Sequence, residues 1–146
     1  MDALILKAVT PLYETSREIL QGEGHPRDML AELVEQTFKL FDSDWEMYYV
    51  ALQLGDHLSA RKPAEFPSAI TLLEEWVRRG QWAGLVRQGD PLVLAMLCQV
   101  IILRVKRARV FGELKPPLSR FATEVIDACW RVLATEPTPS SRKELP

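Results

Sequence analysis

Histidine and cysteine are scarce here, two of each in 146 residues. His25 and His57 fall on different predicted helices, without cysteine or acidic neighbours at ligand spacing, so no zinc site is expected. Cys98 and Cys129 sit singly in apolar runs, which argues against a disulfide framework. Only seven glycines occur. Gly22-Glu-Gly-His25 lacks the Lys-Ser/Thr of a phosphate loop, and no serine stands in a Gly-x-Ser-x-Gly turn. Asp56 and His57 are adjacent on a helix and point about 100° apart, so they do not act together. Hence no catalytic residue, metal or cofactor is expected. No basic stretch followed by an apolar core opens the chain, which leaves the cytoplasm as the default compartment. A net charge of −2 and a pI near 5.7 give no electrostatic footprint for nucleic acid or an anionic membrane.

What is present is helical periodicity. From Leu92 to Val105, 12 of 14 residues are apolar, and Leu92, Leu94, Leu97, Cys98, Val100 and Ile102 point all round a helical axis. Asp90 is suited to cap this helix (90–111), Pro91 to open it and Gly112 to end it. The run is too short for a membrane span, and Arg104 interrupts it. A helix apolar on every side must be covered on every side, so a second layer or a partner chain is required. Arg104, Lys106, Arg107 and Arg109 do not form one stripe; cations in the last turns suit the helix dipole.

Five further helices are expected. Residues 2–21 carry Leu4, Ala8, Leu12 and Ile19 on one face, with Pro11 bending the helix. Residues 26–41 present Leu30, Leu33, Val34, Thr37, Phe38 and Phe41. Ser43-Asp-Trp-Glu46 has capping-box spacing and opens a helix over 44–59, with Trp45, Tyr48, Tyr49 and Leu52 on one side. A helix over 68–83 turns Ile70, Leu73, Trp76 and Val77 inward, with Gly80 a weak point, Gly84 the expected stop and Trp82 on the charged side. Residues 117–134 form the last. The predicted fold is an all-α six-helix bundle over residues 1–134, followed by a polar, proline-rich tail over 135–146 expected to be disordered.

Leu72-Leu-Glu-Glu-Trp-Val-Arg-Arg-Gly-Gln-Trp-Ala-Gly84, then Gly89-Asp-Pro91, a long apolar helix and a final amphipathic one, resembles the regulatory domain of TetR/AcrR-type transcriptional regulators. Ile19 to Leu30 is similar to that family's break between its first two regulatory helices. Family members also carry an N-terminal helix-turn-helix domain. Met1-Asp-Ala-Leu4 resembles the first turn after it, so the resemblance implies a chain that does not itself bind DNA. It also implies a homodimer through the last two helices, with Leu103, Arg107, Val110, Phe111, Phe121, Val125, Cys129 and Val132 as candidate interface residues. An effector pocket would be lined by Phe38, Phe41, Trp45, Tyr49, Leu52, Asp56, Trp76 and Met96. Aromatic walls suit a small apolar or cationic effector, with Asp56 as counter-charge. The competing reading is a helical protein–protein interaction module without a small-molecule ligand.

Overall fold

The computed structural model describes residues 2–46, 49 and 69–135. Five α-helices occur among them: α1 (Asp2–Leu20), α2 (Pro26–Ser43), α3 (Ala69–Trp82), α4 (Pro91–Val110) and α5 (Ala122–Leu133). A single 3₁₀ turn, Leu118–Phe121, precedes α5. No strand occurs among the described residues.

The helix ends follow from local chemistry. The Asp90 carboxylate accepts the Leu92 and Val93 N–H groups at 2.9 and 3.4 Å, and Pro91 occupies the first turn, where a missing N–H costs nothing. At the far end Gly112 takes φ +75°, a backbone conformation that side-chain-bearing residues avoid. That lets Gly112 N–H reach Arg109 O at 3.2 Å and Glu113 N–H reach Ala108 O at 2.8 Å, closing α4 with a Schellman motif. Gly84 closes α3 in the same way, through Gly84 N–H to Gln81 O at 3.1 Å and Leu85 N–H to Gly80 O at 2.9 Å. α2 opens on Pro26, and His25 Nδ1 accepts the Arg27 N–H at 3.1 Å.

Two expectations are corrected, and a third falls largely outside the described residues. Ser43 does not open a capping box; it is the last residue of α2, and its hydroxyl donates to Leu40 O at 2.7 Å. Of the expected 44–59 helix, Asp44 instead follows the end of α2 as its C-cap, residues 45, 46 and 49 are helical, and the rest lies outside the described residues. The last helix is not continuous from 117. The turn at Leu118–Phe121 is held from a distance by Asp42, whose carboxylate accepts Leu118 N–H at 2.7 Å and Ser119 N–H at 3.0 Å.

One core joins the helices. α2 contributes Leu30, Val34, Phe38 and Phe41, α3 contributes Leu73, Trp76 and Val77, and α4 contributes Leu94, Ala95 and Cys98. Leu118, Val125, Ile126, Cys129 and Leu133 complete it. α4 packs on α3 and α5, while α2 packs on α1 and α5. Gly80 is buried because Val86 sits against it, so its presence inside α3 answers a packing demand. Polar ties bridge the helices: Arg27 pairs with Asp127 at 3.2 Å, and the Arg79 guanidinium donates to the Leu20 carbonyl that ends α1.

Candidate functional site

The described residues cover only part of α4. Leu94, Ala95, Cys98 and Ile102 face the core. Val93, Met96, Leu97, Val100, Leu103 and Phe111 face outward and remain between 39% and 62% exposed. These residues are not scattered. Val93, Val100 and Arg107 recur every seven positions, and Met96, Leu103 and Val110 recur three positions after each, the spacing of a two-helix seam. Leu97, Arg104 and Phe111 flank it on one side. The Arg107 guanidinium lies 5.4 Å from the Phe111 ring centroid, and Arg104 pairs with Glu113 at 3.0 Å, so the C-terminal part of the face carries one charge within the seam and one beside it.

The candidate interface residues divide on this geometry. Leu103, Arg107 and Phe111 are exposed, and Val110, Phe121 and Val132 are half-buried. Val125 and Cys129 are buried in the chain's own core, because the turn of α5 that carries them packs against α4. They have no surface to offer a partner. Cys129 instead lies beside Cys98, each sulfur 3.8 Å from the other residue's carbonyl oxygen. The Cys129 sulfur and burial together push the Cys98 thiol far above its ordinary range.

The candidate pocket residues also separate. Phe38, Phe41 and Trp76 are fully buried and fill the core rather than line an opening. Met96 points away from them, on the exposed stripe of α4. Trp45 is exposed at the end of α2, Tyr49 is half-buried, and Leu52 and Asp56 lie outside the described residues. The six described members of the octet therefore do not form one wall. An open groove of about 880 Å³ lies elsewhere, between the end of α1 and α3, lined by Leu20, Leu72, Glu75, Arg78, Arg79 and Trp82 among others. Trp82 stands at its edge 93% exposed.

Two cations near the end of α4 take places that the sequence did not reveal. The Arg109 guanidinium lies 5.3 Å from the Trp45 ring centroid, and its Nε is buried without a hydrogen-bond partner among the described residues. One turn earlier Lys106 is only 6% exposed. Burial lowers its pKa to about 8. Periodicity could have flagged Lys106, since it continues the line of Ala95 and Ile102. Its position near the helix end suggested a solvated cation instead.

Among the described residues, no helix is long and apolar enough to cross a membrane and no group of three or more histidine, cysteine or acidic side chains could hold a metal. No family model and no curated protein matches the chain. Among solved structures the chain is similar to a protein of unknown function from Rhodococcus sp. RHA1, with a TM-score of 0.69 and 20% identity over 91% of this chain and 71% of that one. At that identity the likeness concerns the all-helical fold.

Proposed function

We propose that these helices form the dimerisation and ligand-sensing domain of a TetR-like transcriptional regulator, with α4 and α5 meeting their copies across a two-fold axis. The observation that carries this reading is the uncovered apolar face of α4. A contiguous stripe of Val, Met and Leu at seam spacing is what a self-complementary contact uses, since one patch then serves both subunits. Phe121 and Val132, half-buried on α5, extend the patch beyond one helix. The Leu72–Gly84 phrase, the Gly89-Asp-Pro91 start and the order of the last helices support the family resemblance. A cytoplasmic location goes with this role, and neither DNA reading nor catalysis is assigned to these residues.

The test is solution mass with one substitution. The wild-type protein is expected at twice its 16.6 kDa chain mass at micromolar concentration. Val100→Asp puts a carboxylate at the centre of the stripe in both subunits. Lost burial of two valines amounts to about 3 kcal/mol per dimer, so the dissociation constant rises roughly 100-fold or more. Val100 is the most exposed residue of the stripe, so the monomer should keep its helical content. A monomeric wild type, or a Val100→Asp dimer of unchanged affinity, would reject the proposal. A wild type that is monomeric alone yet pairs through the stripe with a different protein would instead establish the interaction-module reading.

A further inference from the structure

Cys98 and Cys129 are the chain's only cysteines. They stand 31 positions apart, yet the fold brings them together between α4 and α5. Each sulfur lies 3.8 Å from the other residue's carbonyl oxygen, so each side chain reaches across the helix pair to the opposite cysteine. Both are free thiols with no exposed surface. Cysteines whose side chains point apart cannot be joined without moving the backbone; these point at one another. A hydrogen bond between the two side chains holds the Cys129 thiol below its ordinary range and is the largest cause keeping the proton on Cys98. Cys129 is therefore the attacking sulfur and Cys98 the resolving one. Among the described residues no group of three or more histidine, cysteine or acidic side chains could hold a metal, so the pair lacks the further ligands of a zinc site.

We infer that Cys98 and Cys129 form a redox-responsive pair, closing to a reversible intrachain disulfide that fastens α5 to α4 when a small-molecule disulfide such as oxidised glutathione is in excess. The Cys129 thiolate attacks one sulfur of the oxidant, forming a mixed disulfide and releasing one reduced thiol. Cys98 then loses its proton, attacks the Cys129 sulfur and expels the second thiol. The pair gives up two electrons and two protons, and the oxidant's disulfide becomes two thiols. Burial sets when this occurs: exchange proceeds through opening of α5 from α4, and re-closing brings the sulfurs back together. The bond ties α5, with its half-buried Val132, to the helix that bears the exposed stripe, so oxidation state governs how firmly that outer face is held. The inference needs only the contact between these two helices and stands apart from dimerisation. The competing account is two cysteines that merely fill space as small apolar groups.

The experiment equilibrates the full chain at pH 7 in graded mixtures of reduced and oxidised glutathione, with and without urea, followed by acid quenching, alkylation and mass spectrometry. Equilibrium is approached from both the reduced and the oxidised chain, so slow access through the core does not mask the result. The folded chain is expected to reach a form lighter by two hydrogens, to run as a single chain on non-reducing gels and to revert with dithiothreitol. A crosslink across 31 positions that fits the native fold favours folding. The folded chain should therefore half-close at a ratio of oxidised to reduced glutathione roughly 100-fold or more below that of the unfolded chain. The closed form should also melt at a higher temperature than the reduced form. Cys129→Ala, which keeps a small apolar side chain in the core, should show no such rise in the same buffers, with circular dichroism checking its helices. Closure that is equally easy or easier in urea overturns the inference, since the native geometry then opposes the bond. A folded chain that stops at a glutathione adduct, or a rise in melting temperature that Cys129→Ala shares, overturns it as well.

Discussion

Replacing Lys106 by methionine should make the ligand-free protein more stable, although it removes a charged residue from a helix end. Methionine keeps the apolar stem and discards the ammonium that burial disfavours. The drop in the Lys106 pKa from 10.5 to about 8 corresponds to about 3 kcal/mol between the two protonation states. A lowered folded-state pKa means that between pH 8 and 10.5 the unfolded chain still binds the proton that the folded chain has released. Stability of the wild type therefore rises with pH across that window through this group. Below pH 8 both states are protonated and the full penalty applies. Lys106→Met has no such term, so its advantage of about 3 kcal/mol at pH 7 should shrink towards zero near pH 10.5. For a chain of this length that advantage corresponds to a melting point roughly 6–12 °C higher. Urea unfolding at pH 7, 8, 9 and 10, followed by circular dichroism, reads both the gap and its closure. A variant less stable than wild type at pH 7, or a gap independent of pH, would refute the reasoning. The first outcome would mean that the ammonium has a partner; the second would mean that packing rather than charge sets the difference.

Two further substitutions probe the scaffold. Gly80→Ala gains helix propensity but brings a Cβ to 3.2 Å from Val86 Cβ and nearer still to its Cγ2. Valine is stiff at χ1, so overpacking should outweigh the propensity gain and lower stability by about 1–2 kcal/mol; a stabilised variant in thermal unfolding would contradict this. Asp42→Ala removes both acceptors of the Leu118 and Ser119 N–H groups and should cost about 2–3 kcal/mol. Asp42→Asn, which keeps one acceptor, should lose less. Equal losses for the two in urea unfolding would show that the hydrogen bonds are not the source.

Much of the helical frame was legible because its determinants are local. Pro26, Asp90 with Pro91, Gly84 and Gly112 mark helix ends through hydrogen bonds that span only a few residues. The inward faces of α2 and α3 followed from the 3.6-residue period. Ser43 misled because the same hydroxyl can close the preceding helix by donating to Leu40 O, and local sequence does not rank the two uses. The Asp42 cap was invisible for a different reason: it joins positions 76 and 77 residues apart.

The candidate site was less legible. An aromatic cluster reads alike whether it packs solid or encloses space, and Phe38, Phe41 and Trp76 turned out to pack. Apolarity all round α4 pointed to more apolar surface than one stripe holds, and the pattern does not say which side the described residues leave exposed. Thus Met96 belonged to the outer stripe, and Val125 and Cys129 belonged to the core.

The sequence by itself determined the helix type, most helix ends and the excess of apolar surface along α4, since each depends on neighbours within a turn or two. Only the tertiary structure decided which stripe of α4 stayed exposed, that Gly80 makes room for Val86, and that Lys106 became buried. Burial is a property of what comes from far along the chain to lie against a residue, and no local pattern encodes it.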